Sequence, residues 1–256
     1  MYIQDIKKTM SNVTEHDIAK MIDHSLLHPT MDESILIREC NLAKKFDAAS
    51  VCIKPYAVKL AVELLKDSDV MVGTVIGFPH GSNTVEVKVF ETKQSIEHGA
   101  VEIDMVVNIG KVLSEDWDYI ENEIKAINDA TVAGGAILKV IFENDFLPED
   151  KFKIKLCEIC TKLKVAFVKT STGYGFSKLD NGFYTYKGAT EHDLKLMRKH
   201  SDASVEVKAA GGVRTLADTL KVRSWGVTRI GATATEKIIK EFRGENADGV
   251  KSVGGY

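Results

Sequence analysis

Ala166-Phe167-Val168-Lys169-Thr170-Ser171-Thr172-Gly173 is a short apolar run that takes a lysine at its end and then breaks into small hydroxyl residues and glycine. Aromatic and β-branched residues ahead of a glycine-bearing turn read as a buried strand entering a loop. A lysine at the end of such a strand is costly unless it is paired or used, because burial disfavours the ammonium. The same burial makes it a nucleophile, since a lysine held partly neutral near pH 7 attacks a carbonyl and forms a Schiff base. Two other stretches, Ile137-Leu138-Lys139-Val140-Ile141 and Val205-Glu206-Val207-Lys208-Ala209, also place a lysine inside an apolar run. Three such strands in one chain imply that the lysines share a space.

Working outward, the same alternation recurs along the chain. Strands are expected at Met21–His24, Ser50–Ile53, Val72–Ile76, Val101–Val106, around Lys139, before Thr170, around Lys208 and at Thr228–Gly231. Helical spacing separates them: after Pro29-Thr30-Met31-Asp32, from Pro55, over Thr84–His98, Glu115–Ala133, Pro148–Leu163, Thr190–His200, Leu216–Arg223 and Thr233–Phe242. Parallel strands need crossovers of this length. Eight such units near 250 residues are the usual content of a (β/α)8 barrel. A doubly wound open sheet is the rival, but no GxGxxG follows the first strand, and chemistry-bearing residues recur at strand ends throughout. The expectation is an α/β chain forming one (β/α)8 TIM barrel over residues 1–256. A short leading helix precedes it, and a mobile, glycine-rich tail runs from about 244 to 256.

Composition narrows the function. With 256 residues, 44% hydrophobic and 28% charged, the chain can bury a large core. A formal net charge of -3 gives no argument for nucleic acid or an anionic membrane. No apolar run approaches the roughly 20 residues needed to span a bilayer, and Met1–Met10 lacks the apolar segment of a secretory signal. Cys40, Cys52, Cys157 and Cys160 do not suggest a disulfide framework, so a reducing cytoplasm is the natural compartment. Cys157-Glu158-Ile159-Cys160 has the CxxC form but sits in a helical pattern and reads as core packing. With no second CxxC or His pair, neither a metal nor a cofactor is expected.

In a barrel, strands six and seven are neighbours, so Lys169 and Lys208 should lie close. Two ammonium groups in one low-dielectric site cannot both stay charged cheaply, so one is expected to titrate lower. Lys169 is the better nucleophile because Thr170-Ser171-Thr172-Gly173 leaves room beside it. Lys208 then supplies a second positive charge, and Lys139 adds to the field or pairs with an acid. Asp104, inside Ile103-Asp104-Met105-Val106-Val107, is the expected proton shuttle, an ion pair with Lys139, or both. Asp23 would orient a substrate hydroxyl or hold the site together. Loops after strands seven and eight often bind phosphate. Gly211-Gly212 and Gly231-Ala232-Thr233 fall there, each joining backbone N–H groups to a helix N-terminus.

Taken together and in order, several segments resemble one family. They are Ile22–Leu27, Val75–Gly81, Glu102–Asp104, Leu138–Ile141, Phe167–Gly173 and Lys208-Ala209-Ala210-Gly211-Gly212-Val213-Arg214, and the family is deoxyribose-phosphate aldolase. The likeness runs from about residue 20 to 240. It implies a (β/α)8 fold and a metal-independent, reversible cleavage of 2-deoxy-D-ribose 5-phosphate to acetaldehyde and D-glyceraldehyde 3-phosphate. It implies Lys169 as the Schiff-base lysine, Lys208 as the lysine that tunes it and Asp104 as the acid/base carboxylate. Substrate contacts are expected from Asp23, Lys139, Thr170, Gly173, Gly211, Gly212, Val213, Arg214, Gly231 and Thr233. The partner implied is a small sugar phosphate, and the chain could be a monomer or a homo-oligomer. The terminal Tyr256 also matches some members. Three departures stand out. Phe176–Lys187 reads as an insertion over the active face, a lid or a modifier of substrate. Glu206 shares a strand face with Lys208 and is placed to pair with a lysine. Ala234 replaces a common hydroxyl residue in the last phosphate loop, a change expected to weaken that site slightly. The alternatives are an aldolase or transaldolase for another sugar phosphate, and a phosphosugar sensor without turnover.

Overall fold

The computed structural model describes residues 13–247 and 249–250. Of the expected tail, residue 248 and residues 251–256, Tyr256 included, lie outside them. Among the described residues ten strands form: β1 (Ile22–Leu26), β2 (Ser50–Ile53), β3 (Met71–Ile76), β4 (Glu102–Val106), β5 (Ile137–Ile141), β6 (Phe167–Lys169), β7 (Ser177–Lys178), β8 (Tyr184–Thr185), β9 (Glu206–Ala210) and β10 (Arg229–Ala232). Eight of them close a barrel in the order β1-β10-β9-β6-β5-β4-β3-β2, with every pair parallel. Closure excludes the open sheet. The seventh and eighth barrel strands are β9 and β10, because β7 and β8 form a separate antiparallel hairpin.

The helices are α1 (Glu15–Ala19), α2 (Glu33–Lys45), α3 (Val58–Leu65), α4 (Val85–Glu97), α5 (Ile109–Leu113), α6 (Trp117–Ala133), α7 (Asp150–Lys162), α8 (Glu191–His200), α9 (Leu216–Ser224) and α10 (Thr235–Arg243). Most start where a short polar side chain can accept from an orphan N–H of the first turn. Asp32 accepts from Ile35, Thr190 from Asp193, and Thr215 forms a capping box with Asp218. Pro55 opens a 3-10 turn, and α3 begins only at Val58. The segment expected as one helix from Glu115 starts at Trp117 instead, because Asp116 caps it and Glu115 takes a left-handed φ of 55°.

Strand residues such as Ile22, Ile103, Val140, Val168, Val207 and Ile230 are buried in one core with helix residues Leu36, Ile124, Leu156 and Ile238. Cys157 and Cys160 lie on the buried face of α7 as free thiols, in agreement with core packing. Among the described residues no helix is long and apolar enough to cross a membrane.

Candidate active site

Register brings the charged residues together. Lys169 on β6 is paired directly with Lys208 on β9, Asp104 with Lys139, and Lys208 with Arg229. Four cations (Lys139, Lys169, Lys208, Arg229) and three carboxylates (Asp23, Glu102, Asp104) therefore meet inside the barrel. All are buried except Arg229, which is half-buried.

The contacts sort these groups by freedom. Lys139 bonds Asp23 at 2.7 Å and Glu102 at 2.5 Å, and lies 3.4 Å from Asp104 Oδ1. Arg229 reaches Asp23 at 2.5 Å and Glu102 at 3.1 Å. Lys208 bonds Asp23 at 2.5 Å and Asp104 Oδ2 at 2.8 Å. Lys169 has one carboxylate oxygen, Asp104 Oδ2 at 2.7 Å, which it shares with Lys208. The other oxygen, Asp104 Oδ1, accepts no hydrogen bond among the described residues. Asp104 thus both pairs with Lys139 and keeps an acceptor available beside Lys169.

The electrostatics differ from the expectation of a resting lysine with a lowered pKa. Burial pushes Lys169 towards the neutral amine, but the Asp104 carboxylate outweighs it, and the pKa is raised. Lys208 is raised too, with burial opposed by Asp104 and Asp23. Burial pushes Asp104 upward, yet Lys139, Lys169 and Lys208 together hold it well below the usual carboxylate range. Lysine–lysine repulsion alone gives the wrong sign because the carboxylates beneath it dominate.

Above this layer lies a cavity lined by Lys169, Lys208, Gly173, Gly211, Gly212, Val213, Arg214, Gly231 and Thr233, all expected site residues. Ser25 on β1, Leu27 just after it and Cys52 on β2 also line it, and Thr172, Tyr186, Ala210 and Ala232 complete it. Three expected substrate contacts are absent from this lining. Asp23 and Lys139 lie within the ion network. Thr170 is buried, donating to Ala210 O and accepting from Ala210 N, and so tethers β6 to β9. Glu206 is corrected as well. It stands exposed at the first residue of β9 and accepts from Thr228 Oγ1 at 2.6 Å, whereas Lys208 is fully buried with other partners.

The two loops expected to hold phosphate are not equivalent. Gly211 and Gly212 take φ of 91° and 89°, a conformation that L side chains rarely adopt. Behind them, the start of α9 is already satisfied: Asp218 accepts from Arg214 N and Thr215 N, and Glu241 from Leu216 N. In contrast, α10 opens at Ala234 with no side-chain cap. A hydroxyl there would take a first-turn N–H for itself. Alanine leaves the positive end of α10 to an incoming anion.

Sequence reasoning missed several residues. Glu102 and Arg229 carried a visible signal, being charged within strand patterns, but their mutual contact needed the closed barrel. Glu143 carried none. It follows β5 at φ 58°, is buried, and accepts from Thr172 N at 3.2 Å and from Thr172 Oγ1. Burial pushes its pKa up to about 7 against those hydrogen bonds. It holds Thr172, and through it the wall beside Lys169.

A family model described as DeoC/LacD family aldolase matches residues 18–235. The chain is 50% identical over 234 residues to a deoxyribose-phosphate aldolase of Rhodopirellula baltica, covering 91% of this chain and 92% of that protein. It is 47% identical over 221 residues to a deoxyribose-phosphate aldolase of Clostridium perfringens, covering 86% and 93%. Among solved structures, a tetrameric deoxyribose phosphate aldolase from Aeropyrum pernix superposes with a TM-score of 0.80 at 26% identity, covering 95% of this chain and 99% of that one.

Proposed function

The chain belongs to the DeoC/LacD aldolase family, and from that premise we propose that it cleaves 2-deoxy-D-ribose 5-phosphate reversibly, through a Schiff base on Lys169. One observation carries the assignment of the nucleophile. Among the four cations inside the barrel, Lys169 reaches the cavity with a single shared carboxylate oxygen, while Lys139, Lys208 and Arg229 are each held by two or more acids.

In this reading the Lys169 proton leaves by way of Asp104 Oδ2, 2.7 Å away, as the open-chain aldehyde arrives. The amine attacks C1, and loss of water gives an iminium with C2 as its adjacent carbon. A base takes the C3 hydroxyl proton, the C2–C3 bond breaks, and its electrons pass to C2 and the iminium nitrogen as an enamine. D-glyceraldehyde 3-phosphate leaves. Protonation at C2 and hydrolysis release acetaldehyde and restore Lys169. Asp104 and Lys208, joined through Oδ2, are the groups placed to move these protons. The glycine loops and the open N-terminus of α10 hold the 5-phosphate.

A reducing cytoplasm suits the four buried free thiols. Exposed Val87 and Phe90 on α4 and Val132 on α6 offer an apolar surface for self-association. A monomer in sedimentation equilibrium would remove that last element. The main test is incubation with 2-deoxyribose 5-phosphate and borohydride, followed by mass spectrometry. The expected result is a reduced two-carbon adduct on Lys169, absent from Lys169→Leu. An adduct on another lysine, or substantial turnover in the variant, overturns the assignment.

A further inference from the structure

The segment Phe176–Lys187 is built as a hairpin, with Ser177 facing Thr185 and Lys178 facing Tyr184. Its turn is closed locally by Leu179 N bonding Phe183 O at 2.7 Å and Phe183 N bonding Asn181 Oδ1 at 3.0 Å. Asp145, in the loop after β5, anchors both ends. Its carboxylate accepts from Lys187 N and Gly188 N at 2.7 and 2.9 Å, and its carbonyl from Ser177 Oγ at 3.0 Å.

The four aromatic residues of this segment part company. Phe183 and Tyr184 project at the tip, 73% and 65% exposed, outside the cavity. Phe176 packs its ring on Tyr186 with centroids 5.4 Å apart. Tyr186 alone lines the cavity that holds Lys169, Arg214 and Thr233. Its hydroxyl lies against Gly211, on the spot a β-carbon at Gly211 would occupy. The strand returning from the hairpin is pinned to the same residue, since Ala189 N bonds Gly211 O at 3.1 Å and any side chain on Gly188 would strike that carbonyl. The glycine at 211 therefore serves two purposes, its positive φ and the close approach of a phenol.

We propose that Tyr186 is a substrate-binding residue, its hydroxyl donating to the phosphate end of the sugar in the Gly211–Gly212 loop, so that the hairpin sets selectivity for a phosphorylated substrate. This rests on the aldolase reading above. The phenol is a neutral donor carried on a rigid ring with few rotamers to lose. The aromatic contact with Phe176 and the Asp145 anchors fix where it points. Hydrogen bonds to a charged acceptor are among the stronger ones.

The test compares the parent with Tyr186→Phe and Tyr186→Ala. For Tyr186→Phe the KM for 2-deoxyribose 5-phosphate should rise at least tenfold, with less than a threefold effect on kcat/KM for unphosphorylated deoxyribose. Calorimetric titration with inorganic phosphate should show a matching loss of affinity. Tyr186→Ala should be at least as impaired in both. Unchanged KM and phosphate affinity overturn the proposal, as does an equal loss on both sugars, which would mark a purely structural role. Borohydride trapping of acetaldehyde on Lys169 in each variant checks that the rest of the site is intact. If the parent itself fails to trap, the aldolase reading falls, and the phosphate titration still decides the role of Tyr186.

Discussion

Replacing Lys208 by methionine removes a charge from the interior at nearly constant shape, and the structure gives the size of the effect on Lys169. Both ammonium groups contact Asp104 Oδ2, at 2.7 and 2.8 Å, so their nitrogens lie within about 5.5 Å of each other, and at an effective dielectric near 20 two unit charges at that distance repel by about 3 kcal/mol. Removing that repulsion favours protonated Lys169 by up to about two pKa units before the site relaxes. Loss of Lys208 also leaves Asp104 less neutralised, which acts in the same direction. The ascending limb of kcat/KM against pH, which reports the neutral amine, should therefore move to higher pH by at least about one unit, with a rate loss at neutral pH of at least tenfold. Lys208→Arg keeps the charge and should shift the limb less than it lowers the rate. The assay is kcat/KM between mildly acidic and strongly basic pH, paired with borohydride trapping of acetaldehyde over the same range. A tenfold loss in Lys208→Met with the limb unmoved would refute electrostatic tuning and leave Lys208 a role in proton transfer or positioning. Folding is not expected to fail, because three cations then face three carboxylates.

Activity should survive exhaustive chelation with EDTA, and a loss restored by added zinc or magnesium would show the mechanism to be wrong. Two charge-assisted hydrogen bonds to the 5-phosphate are worth about 3 kcal/mol, so kcat/KM for the phosphorylated sugar should exceed that for deoxyribose by at least about 100-fold; equal values would contradict the phosphate site. For Glu143 the folded pKa is raised from the ordinary 4.5 to about 7, so its contribution to stability is present below pH 4.5 and lost as pH rises through about 7. That window is worth about 3 kcal/mol. Thermal unfolding should therefore show Tm falling less between pH 5 and pH 7 in Glu143→Gln than in the parent, and parallel curves would sink the argument.

The barrel was legible because its signal is local and repeated. Each strand is a short apolar run and most helices have a capping residue at their start, so errors in these elements fell at ends such as Pro55 and Glu115. That Lys169, Lys208 and Asp104 meet was legible for a related reason, a charge inside an apolar run being conspicuous. What failed needed distance. Period-two alternation put Glu206 on the Lys208 face, but it could not say that position 206 lies at the strand's first residue, exposed and bonded to Thr228. Thr170 looked like a cavity residue from its neighbours and instead cross-links two strands. Glu143 and Tyr186 sit in loops whose paths depend on Asp145 and Gly211, contacts that no spacing rule encodes.

The ion network poses one further question, namely why the interior carries four cations against three carboxylates. Burying an unmatched charge is expensive, and a balanced set or an apolar core would be more stable. Asp23 and Glu102 are shared by Lys139 and Arg229, and Asp23 also by Lys208, so the surplus falls on Lys169, which shares a single oxygen. The Schiff base proposed on Lys169 keeps a positive charge on the same nitrogen. Converting the ammonium to an iminium therefore adds no charge to the low-dielectric interior, and Asp104 already lies opposite it. Forming the enamine cancels that charge, and once the proton has been passed out of the site three cations are left facing three carboxylates. The surplus that burdens the resting protein is relieved at the step where the carbon–carbon bond breaks, so the fixed charges favour electron flow towards Lys169 without having to move.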